Sequence, residues 1–561
     1  MKNLRWQFII IFLTGLVVGV LLLAEQPGGF SPLVPEPAKG GIYAEGLVGS
    51  LQRMNPVLDY YNSVDRDVDR LIFSGLVRFD DRGVAQPDLA ESWGYTQDGT
   101  IYNFTLRPDI KWHDGEPLTS DDVLYTIDQI RADDSIYPDD LRTFWKDVEV
   151  KALSENTLQF RLPEAFAPFL DYLTFGILPR HLFGDLAYNQ MIESPFNLRP
   201  VGSGPFRFDH LLVENDQITG VVLTAFEDYY GDKPYIEQVV FRLYPDASTA
   251  FDAYLEGTVQ GISEITTDIL PDVLREPNLS VYTGRRPELS LILFNLKDPQ
   301  VEFLQDANVR KALATGLNRQ WIIDRILGSQ AIMADGPIFP GTWAYYEGQE
   351  HLDYDPELAN DQLKDAGYVM AAEGETVRTK GEVPLSFTLL YPDDEQHALV
   401  AEFIQENWAL IGVQVNLEAL PYEELVYDHL DAREYQAALV DLNLSRSPDP
   451  DPYPFWDQAQ ATGGQNYTQW DNRVASEYLE QARTTTDMSE RQRMYRNFQV
   501  VFSEDMPAIP LYYPVYTFAV DQQVQGIRMG PLFDTSDRYA TILKWFMIAK
   551  PAAADTATPQ P

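Results

Sequence analysis

The chain has 561 residues, with 42 Lys and Arg against 85 Asp and Glu, a formal net charge of −43 at pH 7. Such an acidic balance repels a polyanion and sets nucleic acid aside as a partner. The length is several times the roughly 100–200 residues of one domain, and a composition that is 45% hydrophobic and 12% aromatic fills more than one core.

Cysteine is absent, which removes disulfides, thiolate metal ligands, cysteine nucleophiles and the lipid-accepting residue of a bacterial lipoprotein. The six histidines are His113, His181, His210, His351, His397 and His429, and none stands four residues from another. Zinc-hydrolase spacing is therefore missing, and neither a metal nor a cofactor is expected. Val201-Gly202-Ser203-Gly204-Pro205 approaches a nucleophile elbow, but its glycine spacing is wrong for one. No catalytic residue is assigned. A glycosidase needs two carboxylates in one cleft, and no pair among the many stands out.

At the N-terminus, Trp6 to Ala24 is a continuous apolar run of 19 residues behind Lys2 and Arg5. At about 1.5 Å per residue it matches the roughly 30 Å hydrocarbon layer. Basic residues in front predict a cytoplasmic N-terminus and an exported remainder. The run exceeds the usual signal-peptide core, and Leu22 spoils the small-residue cleavage pattern, which favours a retained anchor over a cleaved signal for residues 1–24. Residues 25–41 are dense in Pro and Gly and form a spacer, so the globular part begins near Ile42. Residues 549–561 are small and polar and form a disordered tail.

Along the globular part no repeat of 20–50 residues occurs. Strands of a smaller α+β unit are predicted between about 85 and 165, from the alternation Tyr102, Phe104, Leu106 and Leu158, Phe160, Leu162. Between them Thr119-Ser120-Asp121 opens a helix. Leu289–Leu296 followed by a helix near Val309–Leu317 is predicted as one strand–helix unit of a parallel-wound sheet. A clearer one lies at 385–419, where Leu385, Phe387 and Leu389 alternate. There Ala401, Ile404, Trp408 and Ile411 recur at helical spacing, Gly412 stops the helix, and Val413, Val415 and Leu417 alternate again.

The residues Pro87-Asp88-Leu89-Ala90-Glu91-Ser92-Trp93, Asp98-Gly99 and Trp112-His113-Asp114-Gly115-Glu116-Pro117-Leu118-Thr119-Ser120-Asp121-Asp122-Val123 form an ordered set. So do Val201-Gly202-Ser203-Gly204-Pro205-Phe206, Asp228-Tyr229-Tyr230-Gly231, Phe294-Asn295, Val309-Arg310-Lys311-Ala312-Leu313, Asp449-Pro450-Asp451 and Met506-Pro507-Ala508-Ile509-Pro510. Together they resemble family 5 extracellular solute-binding proteins, the dipeptide-, oligopeptide- and nickel-binding components of ABC importers. The resemblance implies a two-lobe α/β fold of the periplasmic-binding-protein type (type II, cluster C) with an extra α+β domain. Lobe I would comprise 42–75, 197–286 and 515–548, the extra domain 76–196, and lobe II 287–514. Strands crossing near Arg286-Pro287 and Tyr513-Pro514 would act as the hinge.

His113-Asp114-Gly115 is read as a turn and not as an acid–base pair. The loop Arg446 to Trp456 carries four prolines, which hold charged and aromatic side chains at little ordering cost. Its D-x-D spacing lacks the glycine and distal glutamate of a calcium loop. Peptide binders of the family carry a Trp and an ammonium-pairing Asp just before D-P-D; here Leu442-Asn443-Leu444-Ser445-Arg446-Ser447 stands instead. Arg446 in that place prefers a carboxylate, a phosphate or hydroxyl groups. The expected ligand contacts are Arg446 and Asp449 with the aromatic or polar residues Tyr61, Asn62, Trp343, Tyr345, Trp456 and Tyr467. For Trp456, packing in a lobe core is an equal alternative.

The function so implied is capture of a peptide or other small solute by a monomeric, extracytoplasmic, membrane-tethered receptor that delivers it to an ABC permease. A sensor that signals to a membrane receptor is the alternative, and a carboxylate-dependent glycosidase a weaker one.

Overall fold

The structure is a computed structural model that describes residues 37–548, apart from 81, 185, 350, 371–373, 445–447 and 531. The anchor or signal at 1–24, most of the spacer and the tail lie outside the described residues. Among the described residues no helix is long and apolar enough to cross a membrane.

A sheet of 12 strands runs through the molecule. One half is ordered Phe206–Glu214, Gln217–Ala225, Gln238–Tyr244, Ile42–Val48 and Gly261–Ile262; the other is ordered Gln414–Leu420, Ser386–Pro392, Ala437–Asn443 and Glu288–Phe294. The 14-residue strand Ala508–Asp521 joins them. Leu279–Arg285 and Glu288–Phe294 follow one another antiparallel to it, with Leu279 opposite Asp521, Arg285 opposite Val515 and Ser290 opposite Tyr512. Where these lines pass from one half to the other, the Arg286 amide donates to the Pro514 carbonyl at 2.8 Å. Pro287 and Pro514 cannot donate to the ladder; their carbonyls accept from the Leu444 and Arg286 amides, and Ala331–Met333 pairs along the other edge of Tyr512–Pro514.

Two large apolar cores lie on either side of this crossing. One is built from residues between Leu289 and Tyr513, the other from residues between Tyr43 and Phe241 together with Tyr516 to Trp545. The β-α-β unit predicted at 385–419 is present: Ser386–Pro392 pairs parallel with Gln414–Leu420 across the helix Glu395–Leu410. Asp394 caps that helix by accepting from the His397 amide at 3.0 Å, Trp408 packs 5.7 Å from Phe387, and Gly412 takes φ +79°.

The other predicted strand–helix unit is corrected. Glu288–Phe294 precedes the helix Ala307–Thr315, but the strand is antiparallel to both neighbours. Alternation and length reported a buried strand; its direction follows from its being the continuation of Leu279–Arg285 alongside Ala508–Asp521, which no local pattern encodes.

The α+β unit is a four-stranded antiparallel sheet, Ala90–Tyr95, Ile101–Leu106, Thr157–Arg161 and Glu149–Ser154, with the helix Ser120–Ile130. Asp122 accepts from the Thr119 amide at 2.8 Å, a reciprocal cap. His113 joins this unit to the neighbouring lobe. Its Nδ1 accepts from the Gly202 amide at 3.1 Å and its Nε2 lies 3.0 Å from the Gly204 carbonyl, so Nε2 carries the proton. Burial pulls its pKa down to about 4, keeping the ring neutral. The Val201–Pro205 glycines serve the same junction, since a Cβ on Gly202 would lie 2.0 Å from the Ile72 carbonyl oxygen.

Candidate functional site

In open α/β sheets, ligands bind beyond the carboxyl ends of the parallel strands. In the C-terminal half, Ser386–Pro392, Gln414–Leu420 and Ala437–Asn443 are parallel neighbours, and Asn443 pairs with Glu288 beside the crossing. In the other half, Ile42–Val48 lies parallel to Gln238–Tyr244 and Gly261–Ile262, and Glu264, two residues past Ile262, meets Arg286 at 2.8 Å. The carboxyl ends of both half-sheets therefore converge on the crossing strands.

The side chains at this convergence are mostly charged. Ser290 pairs with Asp441 and with Tyr512 across three strands, so the three side chains share one face. The Ser290 hydroxyl donates to Asp441, whose other oxygen lies 3.3 Å from His397 Nε2. His397 Nδ1–H donates to Asp394 at 2.6 Å. Burial works against ionisation of both partners, yet the bonds from His397 and Ser290 hold Asp441 below the usual carboxylate range. Likewise the two flanking carboxylates outweigh burial and raise the His397 pKa. Two residues nearer the crossing on the same face, Glu288 is raised by burial, against the Arg286 guanidinium and with Asp441 adding to the rise. Tyr422, just past Leu420, has an exposed ring and a phenol that feels both Asp441 and Glu288.

Opposite, the loop after Ile42–Val48 leads to the helix Ser63–Ile72. Asn62 caps that helix, accepting from the Val64 amide at 3.0 Å, and donates to the Ser50 carbonyl at 3.0 Å. With its side chain so committed, Tyr61 is left outward, 73% exposed. A groove of about 540 Å³ lined by Asn295, Gln300, Leu390, Glu418, Arg433 and Gln436 sits at the amino end of Ala437–Asn443 and alongside the two strands parallel to it.

Residues 84–465 match the family model "Bacterial extracellular solute-binding proteins, family 5 Middle". The chain belongs to this family. Its members are binding proteins and not enzymes. The oligopeptide-binding protein AppA of Bacillus subtilis is 26% identical over 522 residues, 91% of this chain and 92% of its own. The dipeptide-binding protein of Escherichia coli is 26% identical over 466 residues, 80% of this chain and 84% of its own. The solved structure of HbpA2 from Haemophilus parasuis, at 21% identity, superimposes with a TM-score of 0.80 over 91% of this chain and all of its own, which shows the same fold.

Within this family-5 chain the remaining sequence-predicted contacts fall in several places. Asp449 is buried and paired with Arg491 at 2.5 Å, and Tyr495 donates to it at 3.2 Å. Trp343 is buried against the same Arg491, 5.0 Å from its ring centroid. Asp451 pairs with Arg483 at 3.1 Å, so both acids of the D-P-D element bind the helices Arg473–Thr484 and Met488–Asp505. The Asp449 amide also donates to Asp171 of the α+β unit at 2.7 Å. Trp456 is buried edge-on against Phe502, the core-packing alternative. Tyr467 donates to Asp431 at 3.2 Å beneath the Arg433 guanidinium, and Tyr345 is half-buried near Arg285. Arg446 lies outside the described residues.

Sequence reasoning placed Arg286 at the hinge but did not single out Glu264, Glu288, Asp394 or His397 as site residues. One signal was available: charged residues stand at the ends of apolar strands, as Glu288 does before Leu289 and Asp393-Asp394 do after Pro392.

Proposed function

We propose that this family-5 protein is the extracytoplasmic receptor of an ABC importer, tethered to the cytoplasmic membrane by residues 1–24. It captures a peptide or other small solute between its two lobes and presents the closed form to a permease. The observation that carries this reading is the convergence of both half-sheets' carboxyl ends on one pair of crossing strands. Two walls joined by such a crossing close on whatever contacts both of them, and closure is favoured by the ligand's differential contacts with the two states.

Support for peptides comes from the relatives' names, which include oligopeptide-, dipeptide- and di/tripeptide-binding proteins. In this reading Tyr61 forms one wall, while Glu288, Asp441 and Tyr422 form the other. Arg286 with Glu264 sits at the hinge. The test is the unfolding midpoint of the protein against a panel of di- and tripeptides. A binder at 100 times its Kd adds about 2.7 kcal/mol of stability. A panel that shifts nothing, together with native mass spectrometry showing no co-purified solute, would remove the peptide reading.

A further inference from the structure

A buried arginine is costly unless its guanidinium is hydrogen-bonded or paired. Among the described residues, burial pulls down the pKa of Arg285, Arg310, Arg319 and Arg378. Three of them are satisfied by backbone or amide oxygens. Arg310 donates to the carbonyls of Leu304, Asp505 and Met506; Arg319 to those of Ala334, Leu352 and Pro510. Arg378 donates to the Tyr368 and Ile411 carbonyls and to Asn360. Arg285 differs: it is half-buried, with only its Nη1 enclosed, and that Nη1 has no partner while no other described residue accepts from its guanidinium.

What surrounds Arg285 is shaped like a site. The Phe339 ring centroid lies 6.0 Å from its Cζ. Gly341, at φ +83°, comes so close that a Cβ there would stand 3.3 Å from Nη2. The phenols of Tyr345 and Tyr513 lie near enough to act on its charge, and the Tyr513 hydroxyl donates to the Gly336 and Ile338 carbonyls. Asp335, on the same loop, is already held by His351 at 2.8 Å and Arg319 at 3.7 Å. Arg285 ends the strand that leads into the crossing, whereas Phe339, Gly341 and Tyr345 come from the loop after Ala331–Met333, on the other side of it.

We propose that Arg285, with Gly341 and Tyr345, forms an oxyanion site at the junction of the two lobes that accepts a carboxylate. The guanidinium offers a planar fork of donors that matches a carboxylate, while the Phe339 ring packs against the cation itself. The carboxylate comes either from a captured solute or from a free small acid. This inference rests on the geometry around Arg285 and not on the import reading, so the two fail separately.

The test compares unfolding midpoints of the full chain in detergent with sodium acetate and with sodium chloride at equal ionic strength. Acetate is expected to stabilise the wild type beyond chloride, with apparent affinity at least about tenfold weaker in R285Q. Competition of acetate by alanyl-alanine, but not by its C-terminal amide, supports the site with the solute as source; acetate binding without competition supports it with a free acid. Equal responses to acetate and chloride, or an acetate response retained in R285Q, overturn it. R285K keeps the cation but loses the fork. A weakened acetate response in R285K supports the site and an unchanged one overturns it, even if R285Q does not fold.

Discussion

Asp449 and Arg491 face each other at 2.5 Å with both side chains 6% exposed. This pair fixes the proline-rich loop to the helix Met488–Asp505, so the D-P-D element acts here as a structural clasp. Removing one partner of a buried ion pair leaves the other charge uncompensated and typically costs about 3–5 kcal/mol. Asp449→Asn, which retains one hydrogen-bond acceptor, is expected near the low end of that range by urea unfolding. A variant of unchanged stability that loses ligand affinity would show that Asp449 is a ligand contact instead.

His113 makes stability depend on pH in a definite direction. Its folded pKa, about 4, lies below its ordinary value of 6.5, so the unfolded chain binds a proton that the folded one refuses. The contribution is complete above about pH 6.5 and declines as pH falls towards 4, by about 3 kcal/mol in all. His113→Gln should flatten that part of the stability profile between pH 6.5 and 4.5, measured by urea unfolding. A profile as steep as the wild type's would refute the assignment.

Local structure was legible wherever it is set by local pattern. The 3.6-residue recurrence at Ala401, Ile404 and Trp408 and the Gly412 stop give the helix Glu395–Leu410 and its parallel flanking strands. The two cores, and the crossing near Arg286 and Pro514, follow the family resemblance. The direction of Glu288–Phe294 was not legible, because strand direction is decided by a partner more than 200 residues away, and alternation is the same either way. The site was half legible for a related reason. Aromatic residues such as Trp343 and Trp456 read alike whether they line a cleft or fill a core, and here both are buried. Glu288 and Asp441 come together only because antiparallel pairing sets Ser290 against Asp441 and Glu288 against Asn443.

Gly202 offers a sharper test of how the α+β unit is joined to its lobe. Its Cα stands against backbone, with the Ile72 oxygen 2.0 Å and the Ile72 carbonyl carbon 2.7 Å from an added Cβ, so no side-chain rotation relieves the clash. Gly202→Ala is expected to lose about 3 kcal/mol, the upper part of the range for overpacking. Because the Gly202 amide also donates to His113, the variant should weaken the His113 pH dependence as well. An alanine variant with wild-type stability would mean that this junction is looser than described.

Tyr61 separates ligand contact from structural support more cleanly than any other residue of the site. Its ring packs 5.0 Å from Tyr60 but is 73% exposed, and the neighbouring Asn62 alone caps the helix Ser63–Ile72. Removing an exposed ring that caps nothing typically changes stability by no more than about 0.5 kcal/mol. Tyr61→Ala should therefore leave the ligand-free unfolding midpoint unchanged. In the proposed receptor it should also reduce the extra stability that a bound peptide confers, since an aromatic wall in a closed cleft contributes on the order of 1–2 kcal/mol of apolar contact. The measurement is a pair of peptide titrations followed by thermal unfolding, wild type against variant. An identical peptide-induced shift in both would place the ligand away from the loop after Ile42–Val48 and would leave the strand ends at Glu288 and Asp441 as the only candidate wall.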